Sequence, residues 1–177
     1  MKNGSTGSVT ESSSKILISA CLLGQPVRYD GQSKYVDNTI LELWNGKDML
    51  VPVCPEVSGG LPVPRPAGEI QGIADDVLNG RAQVTTADKE DITRYYLRGA
   101  QHALSLCQQH GIRIAILKEN SPSCGSTNVP DGSFSHKLIP GEGVTARLLR
   151  QNGIRVFSEN EINEAKAYVD ASTETNT

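Results

Sequence analysis

Short unbroken apolar runs alternate along this chain with stretches whose apolar residues recur every three or four positions. The runs ILI at 16–18, LVPV at 50–53 and IAIL at 114–117 are continuous, and IRVF at 154–157 is broken only by Arg155. Continuity of this kind marks strands buried on both faces of a parallel sheet. Between the first two, Asp37 is placed to cap a helix carrying Ile40, Leu41 and Trp44 on one face, with Gly46 as its stop. The longest helical pattern spans 87–110, where Ile92, Tyr96, Gly99, Ala103 and Cys107 form one stripe and Gly111 ends it. A later helix bears Val144, Leu148 and Leu149 and stops at Gly153. Ser158 and Glu161 form a capping-box pattern that opens a last helix with Ile162, Ala165 and Val169 inward.

Turn residues punctuate this pattern. The 56–72 segment is rich in Gly and Pro, holds no sustained period, and follows directly from Cys54, which predicts an ordered loop lining a site. Asn79-Gly80, between ADDVL and RAQVT, reads as a tight hairpin because both residues tolerate positive φ. The order of elements predicts a single-domain α/β protein, Rossmann-like or flavodoxin-like, with a mainly parallel sheet, helices on both faces and an added β-hairpin. That domain covers 15–170. The Ser-, Thr- and Gly-rich 1–14 and the polar 171–177 are expected to be disordered tails.

Composition narrows the class without changing the fold. A length of 177 residues fits one domain with a sufficient core, and 37% hydrophobic with 21% charged residues is ordinary for a globular chain. No apolar stretch approaches the roughly 20 residues of a membrane-spanning helix, and 1–15 lacks the pattern of a signal peptide. The expected location is therefore the cytoplasm, with no membrane partner. A net charge of -3 and the lack of a basic or aromatic stripe argue against a nucleic-acid partner. The oligomeric state stays open, a monomer being the simplest case.

In a reducing compartment, cysteines point to metal binding or catalysis rather than disulfides. Cys21, Cys54 and Cys124 each end a run that leads from an apolar strand into a Gly- or Pro-containing turn, which places all three at the carboxyl edge of the sheet. Open α/β sheets bind ligands there. Cys107 differs, since it lies on the inward stripe of the long helix and reads as a small core hydrophobe. Spacings of 33 and 70 residues match no local CxxC pattern, so any metal is gathered in three dimensions. Three thiolates leave one coordination position open, and soft ligands favour zinc or an iron-sulfur cluster.

Several segments resemble one known family. SACLLG at 19–24 with VRYDG at 27–31, CPEVSGGLPVPR at 54–65, LKENSPSCG at 117–125 and GEGVTA at 141–146 stand in the order found in the thiouracil desulfidases, formerly a bacterial domain of unknown function. The likeness runs from about Lys15 to Glu159. It implies a 4Fe-4S cluster held by Cys21, Cys54 and Cys124, with the fourth iron free for the sulfur of a thiocarbonyl. The same resemblance implies that water adds to the ring carbon, that sulfide leaves without net electron transfer, and that a small thiolated nucleobase such as 2-thiouracil becomes uracil.

The attacking water must lose a proton. Glu56, two residues past Cys54, is the first candidate base, and the resemblance assigns the glutamate of CPE a catalytic role; a capping or solvated glutamate is the plainer reading. Ser121 and Ser123 carry hydroxyls suited to a ring carbonyl or to cluster sulfur, yet serines also stabilise turns. Asp30 is a further acid in an Asp-Gly pair typical of turns. Lys118 and Glu119 read as pairing with each other or with solvent. GEGVT opens a helix whose free N-H groups suit an anion or form a plain helix start. His102, His110 and His136 show no ligand spacing and are read as non-catalytic. Two other functions fit the same cysteines: a zinc hydrolase, and a non-catalytic metal or redox sensor or thiouridine-binding module.

Overall fold

A computed structural model describes residues 14–175. Its first half runs β1 (Ile16–Ser19), a 3-10 turn (Ala20–Leu23), α1 (Thr39–Gly46), β2 (Leu50–Val53), α2 (Pro55–Ser58), β3 (Gly68–Gln71), α3 (Ala74–Leu78) and β4 (Gln83–Thr86). The second half continues α4 (Thr93–His110), β5 (Ile114–Leu117), β6 (Asn128–Pro130), β7 (Leu138–Pro140), α5 (Val144–Gln151), β8 (Arg155–Ser158) and α6 (Ile162–Glu174). The four apolar runs form one parallel sheet in the order β2-β1-β5-β8. Its register pairs Ile16 with Leu50, Leu17 with Ala115, and Ala115 with Val156.

Successive side chains of β1 enter opposite layers, as the two-residue period of a strand requires. Ile16 and Ile18 pack with Leu41 and Trp44 of α1 and with Ile162 and Val169 of α6. Leu17 faces the other way, onto Ala103, Leu104 and Cys107 of α4 and Leu149 of α5. Burying each large apolar side chain stabilises the fold by roughly 1.5–3 kcal/mol, so this double covering holds the central strand rigidly. The expected α/β layering is therefore present, and the family of helices on both faces is real.

The added antiparallel pair exists, but not where Asn79-Gly80 predicts it. β3 pairs with β4, Gly68 opposite Thr86, and the connection contains the helix α3. ADDVL is helical because Ala and Leu favour helix and Asp75 and Asp76 sit in the first turn, where carboxylates suit the helix dipole. Asn79 ends that helix and Gly80, at φ +74°, turns the chain out of it. A second pair, β6 with β7, lies in the stretch read as irregular.

Other boundaries move by a few residues. The cap of α1 is Asn38, whose side-chain oxygen accepts from the N-H groups of Ile40 and Leu41, rather than Asp37. The long helix begins at Thr93, since 87–92 turns at Lys89, φ +64°, and Thr85 bridges Asp91. In the capping box, the Glu161 carboxylate accepts from the Ser158 N-H at 2.9 Å, while Ser158 Oγ accepts from Asn160 instead. α6 runs to Glu174, well into the 171–177 segment, and 1–13 of the expected N-terminal tail lie outside the described residues. No helix among the described residues is long and apolar enough to cross a membrane.

Candidate active site

Three neighbouring strands end at one edge of the sheet, and each delivers a cysteine there. Cys21 lies in the 3-10 turn after β1, Cys54 caps α2 directly after β2, and Cys124 sits in the SPSCG loop after β5. The chain crosses from β2 on one side of β1 to β5 on the other, which makes this the topological switch point where α/β sheets open a crevice. A cavity of about 350 Å³ occupies it, lined by all three cysteines together with Ser19, Glu56, Arg28 and Lys118.

The thiols are near enough to feel one another. Burial foremost, then Cys54, pushes the Cys21 pKa up to about 11, with Lys118 and Arg28 acting in the opposite sense. Burial raises Cys54 too, against the first-turn N-H of Val57, which stabilises its thiolate. Cys124 is raised most, by burial and then by the other two thiols, although the Ser19 hydroxyl beside it works the other way. Ser19 also accepts the Lys118 N-H at 2.9 Å, tying the ends of β1 and β5 together. Cys107 does not line this cavity; it is buried among Leu17, Ala103 and Leu104, as the helical stripe predicts.

The Cys124 loop is held by its own polar groups. Ser121 Oγ accepts from the N-H groups of Ser123 at 3.2 Å and Cys124 at 3.0 Å, so this hydroxyl shapes the turn that presents the sulfur. Ser123 is buried, and its hydroxyl pairs with Thr145 Oγ1 at 2.8 Å. The start of α5 closes on the same loop: the N-H groups of Gly143, Val144 and Thr145 go to the carbonyls of Gly125, Pro122 and Ser123. Those donors are consumed, so GEGVT is a helix start that clamps the loop, not an anion site. A Cβ at Gly143 would fall 2.3 Å from the Ser123 carbonyl carbon, which is why no side chain fits there.

Sequence reasoning missed the keystone beneath this loop. Glu119 is 6% exposed, and its carboxylate accepts from the backbone N-H groups of Asn120, Ser126, Thr127 and Asn128 and from the hydroxyls of Ser126 and Thr127. Burial raises its pKa, but the Asn128 N-H, the Ser126 hydroxyl and the N-H groups of Thr127 and Asn120 outweigh burial, and the carboxyl stays below its usual range. Lys118 does not pair with the Glu119 carboxylate. Its ammonium meets Glu159 at 2.8 Å and the Glu119 carbonyl at 2.7 Å. The signal available in the sequence was weak, because a single Glu before Asn-Ser-Pro looks like any solvated turn residue.

Glu56 lies in the first turn of α2 and lines the cavity. Arg65, 7% exposed, donates from Nε to Glu56 Oε2 at 2.8 Å and from its other nitrogens to the carbonyls of Pro62 and Val27. The 56–72 segment expected to be loop throughout begins in α2 and ends in β3, and the Gly- and Pro-rich stretch between them is ordered around one buried guanidinium. Oε1 of Glu56 accepts no hydrogen bond from the described residues and is left free. Asp30 is not among the residues lining the cavity; it accepts from Arg28 at 3.3 Å and from the Gln32 N-H at 3.0 Å, a turn arrangement. His102 and His110 are exposed on α4 and do not line the cavity.

Among the described residues, no three His, Cys, Asp or Glu side chains converge tightly enough to hold a single metal ion.

Comparison with known proteins gives this arrangement a lineage. The profile of the 2-thiouracil desulfurase family matches residues 16–161. The uncharacterized protein YbbK of Bacillus subtilis (strain 168) is 47% identical over 150 residues, which span 84% of this chain and 98% of that protein. A solved structure of a 4Fe-4S-dependent thiouracil desulfidase, TudS, is 46% identical and superposes with a TM-score of 0.83 over 89% of this chain and 99% of its own. Since the family profile covers most of the chain, from the start of β1 to the start of α6, and the fold agrees with it, the chain belongs to the 2-thiouracil desulfurase family.

Proposed function

We propose that this chain is an iron-sulfur enzyme that removes sulfur from a thiolated pyrimidine of the 2-thiouracil kind, giving uracil, with a 4Fe-4S cluster on Cys21, Cys54 and Cys124. The observation that carries the reading is the meeting of these three thiols at one sheet edge, around one cavity, in a chain of the desulfurase family. The donor set fits the group: three soft sulfurs line one cavity, with no fourth cysteine among its walls. When bound, the cluster supplies Lewis acidity at an iron that lacks a protein thiolate.

The chain's own residues do the rest. Glu56 takes the proton of the attacking water at Oε1, while Arg65 keeps Oε2 fixed and the carboxylate oriented. Arg28 and Lys118 give the cavity a positive wall, suited to sulfur that leaves as an anion. Ser121 holds the Cys124 turn in shape, and Ser123, locked to Thr145, fixes the loop onto α5. A cavity of about 350 Å³ matches a small base beside a compact cluster, not a folded nucleic acid.

Anaerobic purification and reconstitution test the reading. The wild-type protein and Cys107→Ala are expected to bind about four irons and to release sulfide and uracil from 2-thiouracil. Cys21→Ala, Cys54→Ala and Cys124→Ala are each expected to lose the cluster and the activity. Stoichiometric zinc without iron, or a cluster-loaded protein that binds thiouracil without releasing sulfide, would favour the hydrolase or the sensor instead.

A further inference from the structure

A second cavity, of about 300 Å³, adjoins the first and shares with it Arg28, Tyr29, Glu56, Asn120 and Pro122. Tyr96 of α4 forms part of its wall. This side chain is 1% exposed, and its hydroxyl is a buried polar atom with no hydrogen-bond partner among the described residues. It stands beside the Glu56 carboxylate: burial first, then the Glu56 charge and the pull of that carboxylate on its proton, keeps the phenol protonated far above its ordinary range, although the two groups do not meet in full hydrogen-bond geometry. An orphaned buried hydroxyl costs about 1–3 kcal/mol. Phenylalanine would fill the same volume without that cost, so packing alone does not account for the oxygen.

The surroundings keep the space in front of this hydroxyl clear. A Cβ at Gly68 would lie 2.7 Å from the Tyr96 oxygen, so any side chain on that residue would fill it. Placement is also rigid. One turn further along α4, Gly99 lets the Pro55 carbonyl approach so closely that a Cβ there would sit 1.9 Å from it, which locks the Cys54-Pro55-Glu56 turn onto the helix bearing Tyr96. A buried water needs two or more polar partners and a polar, roomy site. Here the partners are a fixed donor and a fixed acceptor.

We infer that Tyr96 Oη and Glu56 Oε1 hold between them the water that attacks the thiocarbonyl carbon, an assignment that rests on the desulfidase reading. The phenol O-H donates to one lone pair of the water and the carboxylate accepts one of its hydrogens, leaving the second lone pair directed at the substrate. As the C-O bond forms, that hydrogen passes to Glu56. The C-S bond breaks with its electron pair on sulfur, the remaining O-H proton is lost as the ring carbonyl forms, and both protons end on sulfide or in solvent. Thiocarbonyl and water thus give carbonyl and hydrogen sulfide, with no oxidant or reductant required. Tyr96 itself neither gains nor loses a proton.

Tyr96→Phe isolates the hydroxyl. In the reconstituted enzyme this variant is expected to lower kcat for 2-thiouracil by about 10- to 100-fold, with KM within about twofold and iron content unchanged. Its melting temperature is expected to equal or exceed that of the wild type. Crystal structures of the metal-free proteins give a reading independent of turnover: an ordered water between Tyr96 and Glu56 in the wild type, absent in Tyr96→Phe. Unchanged kcat in the variant, or a wild-type structure without that water, overturns the assignment while leaving the desulfidase reading intact. A wild-type protein that carries a cluster and releases no sulfide overturns the desulfidase reading, and the attacking role of the water with it.

Discussion

Single side chains in this molecule act mostly by fixing backbone around the cysteines, and Glu119 is the clearest case. One carboxylate gathers the N-H groups of 120 and 126–128 and so holds the loop that carries Cys124. Hydrogen bonds to a charged acceptor contribute about 1.5–3 kcal/mol, and neutral Gln in its place would satisfy fewer of these donors. Because the folded pKa lies below the ordinary value of 4.5, the stabilisation is complete above that value and is lost as pH falls through the folded pKa. Glu119→Gln is therefore expected to melt earlier than the wild type at pH 7 by about 1–3 kcal/mol, with the difference shrinking as pH drops below about 4.5. Thermal melts at pH 7, 4.5 and 3 check this; a gap that stays constant across them would place the effect elsewhere.

At the scale of elements, the contact between α2 and α4 decides where Glu56 stands. Gly99 and Gly59 let the two helices touch backbone to backbone: a Cβ on Gly59 would lie 2.0 Å from the Tyr95 carbonyl oxygen. Overpacking such a contact costs typically about 1–3 kcal/mol and shifts backbone. Gly99→Ala is expected to show that loss in denaturant melts and to lower desulfuration more than Cys107→Ala, which lies on the same helix but outside the cavity. The stripe on α4 was legible in the sequence, Gly99 included, because helical periodicity is a local signal. So were the four sheet strands and the shared edge of Cys21, Cys54 and Cys124, since unbroken apolar runs and the turns after them are local too. Where reading failed, the deciding interaction was distant. Nothing near Asn79 reveals that β3 waits for β4 beyond a helix, and nothing near Arg65 or Glu119 reveals that each will be buried against partners a loop away.

For the whole molecule, the cysteines follow three adjacent strands, so the proposed cluster on them would tie β2, β1 and β5 across the open edge of the sheet. A ligand that binds only the folded state adds its binding free energy to stability. The size of that addition depends on pH in a direction the thiols determine. Cys21 rises from 9.0 to about 11 in the fold, and Cys54 and Cys124 also rise, so the metal-free protein binds more protons than the unfolded chain as pH climbs above 9. The contribution of these raised thiols is therefore present below about pH 9 and is lost as pH climbs through the folded values. In the proposed ligation the three cysteines bind as thiolates, so cluster binding would remove these protons and with them the penalty. The holoprotein is thus expected to melt higher than the metal-free form at pH 7, and the gap to widen between pH 7 and 10, with Cys107→Ala behaving as wild type in the difference. Paired melts of anaerobic holo and metal-free protein across that range decide the point. A gap that narrows with rising pH would mean that the three thiols are not the groups deprotonated on binding.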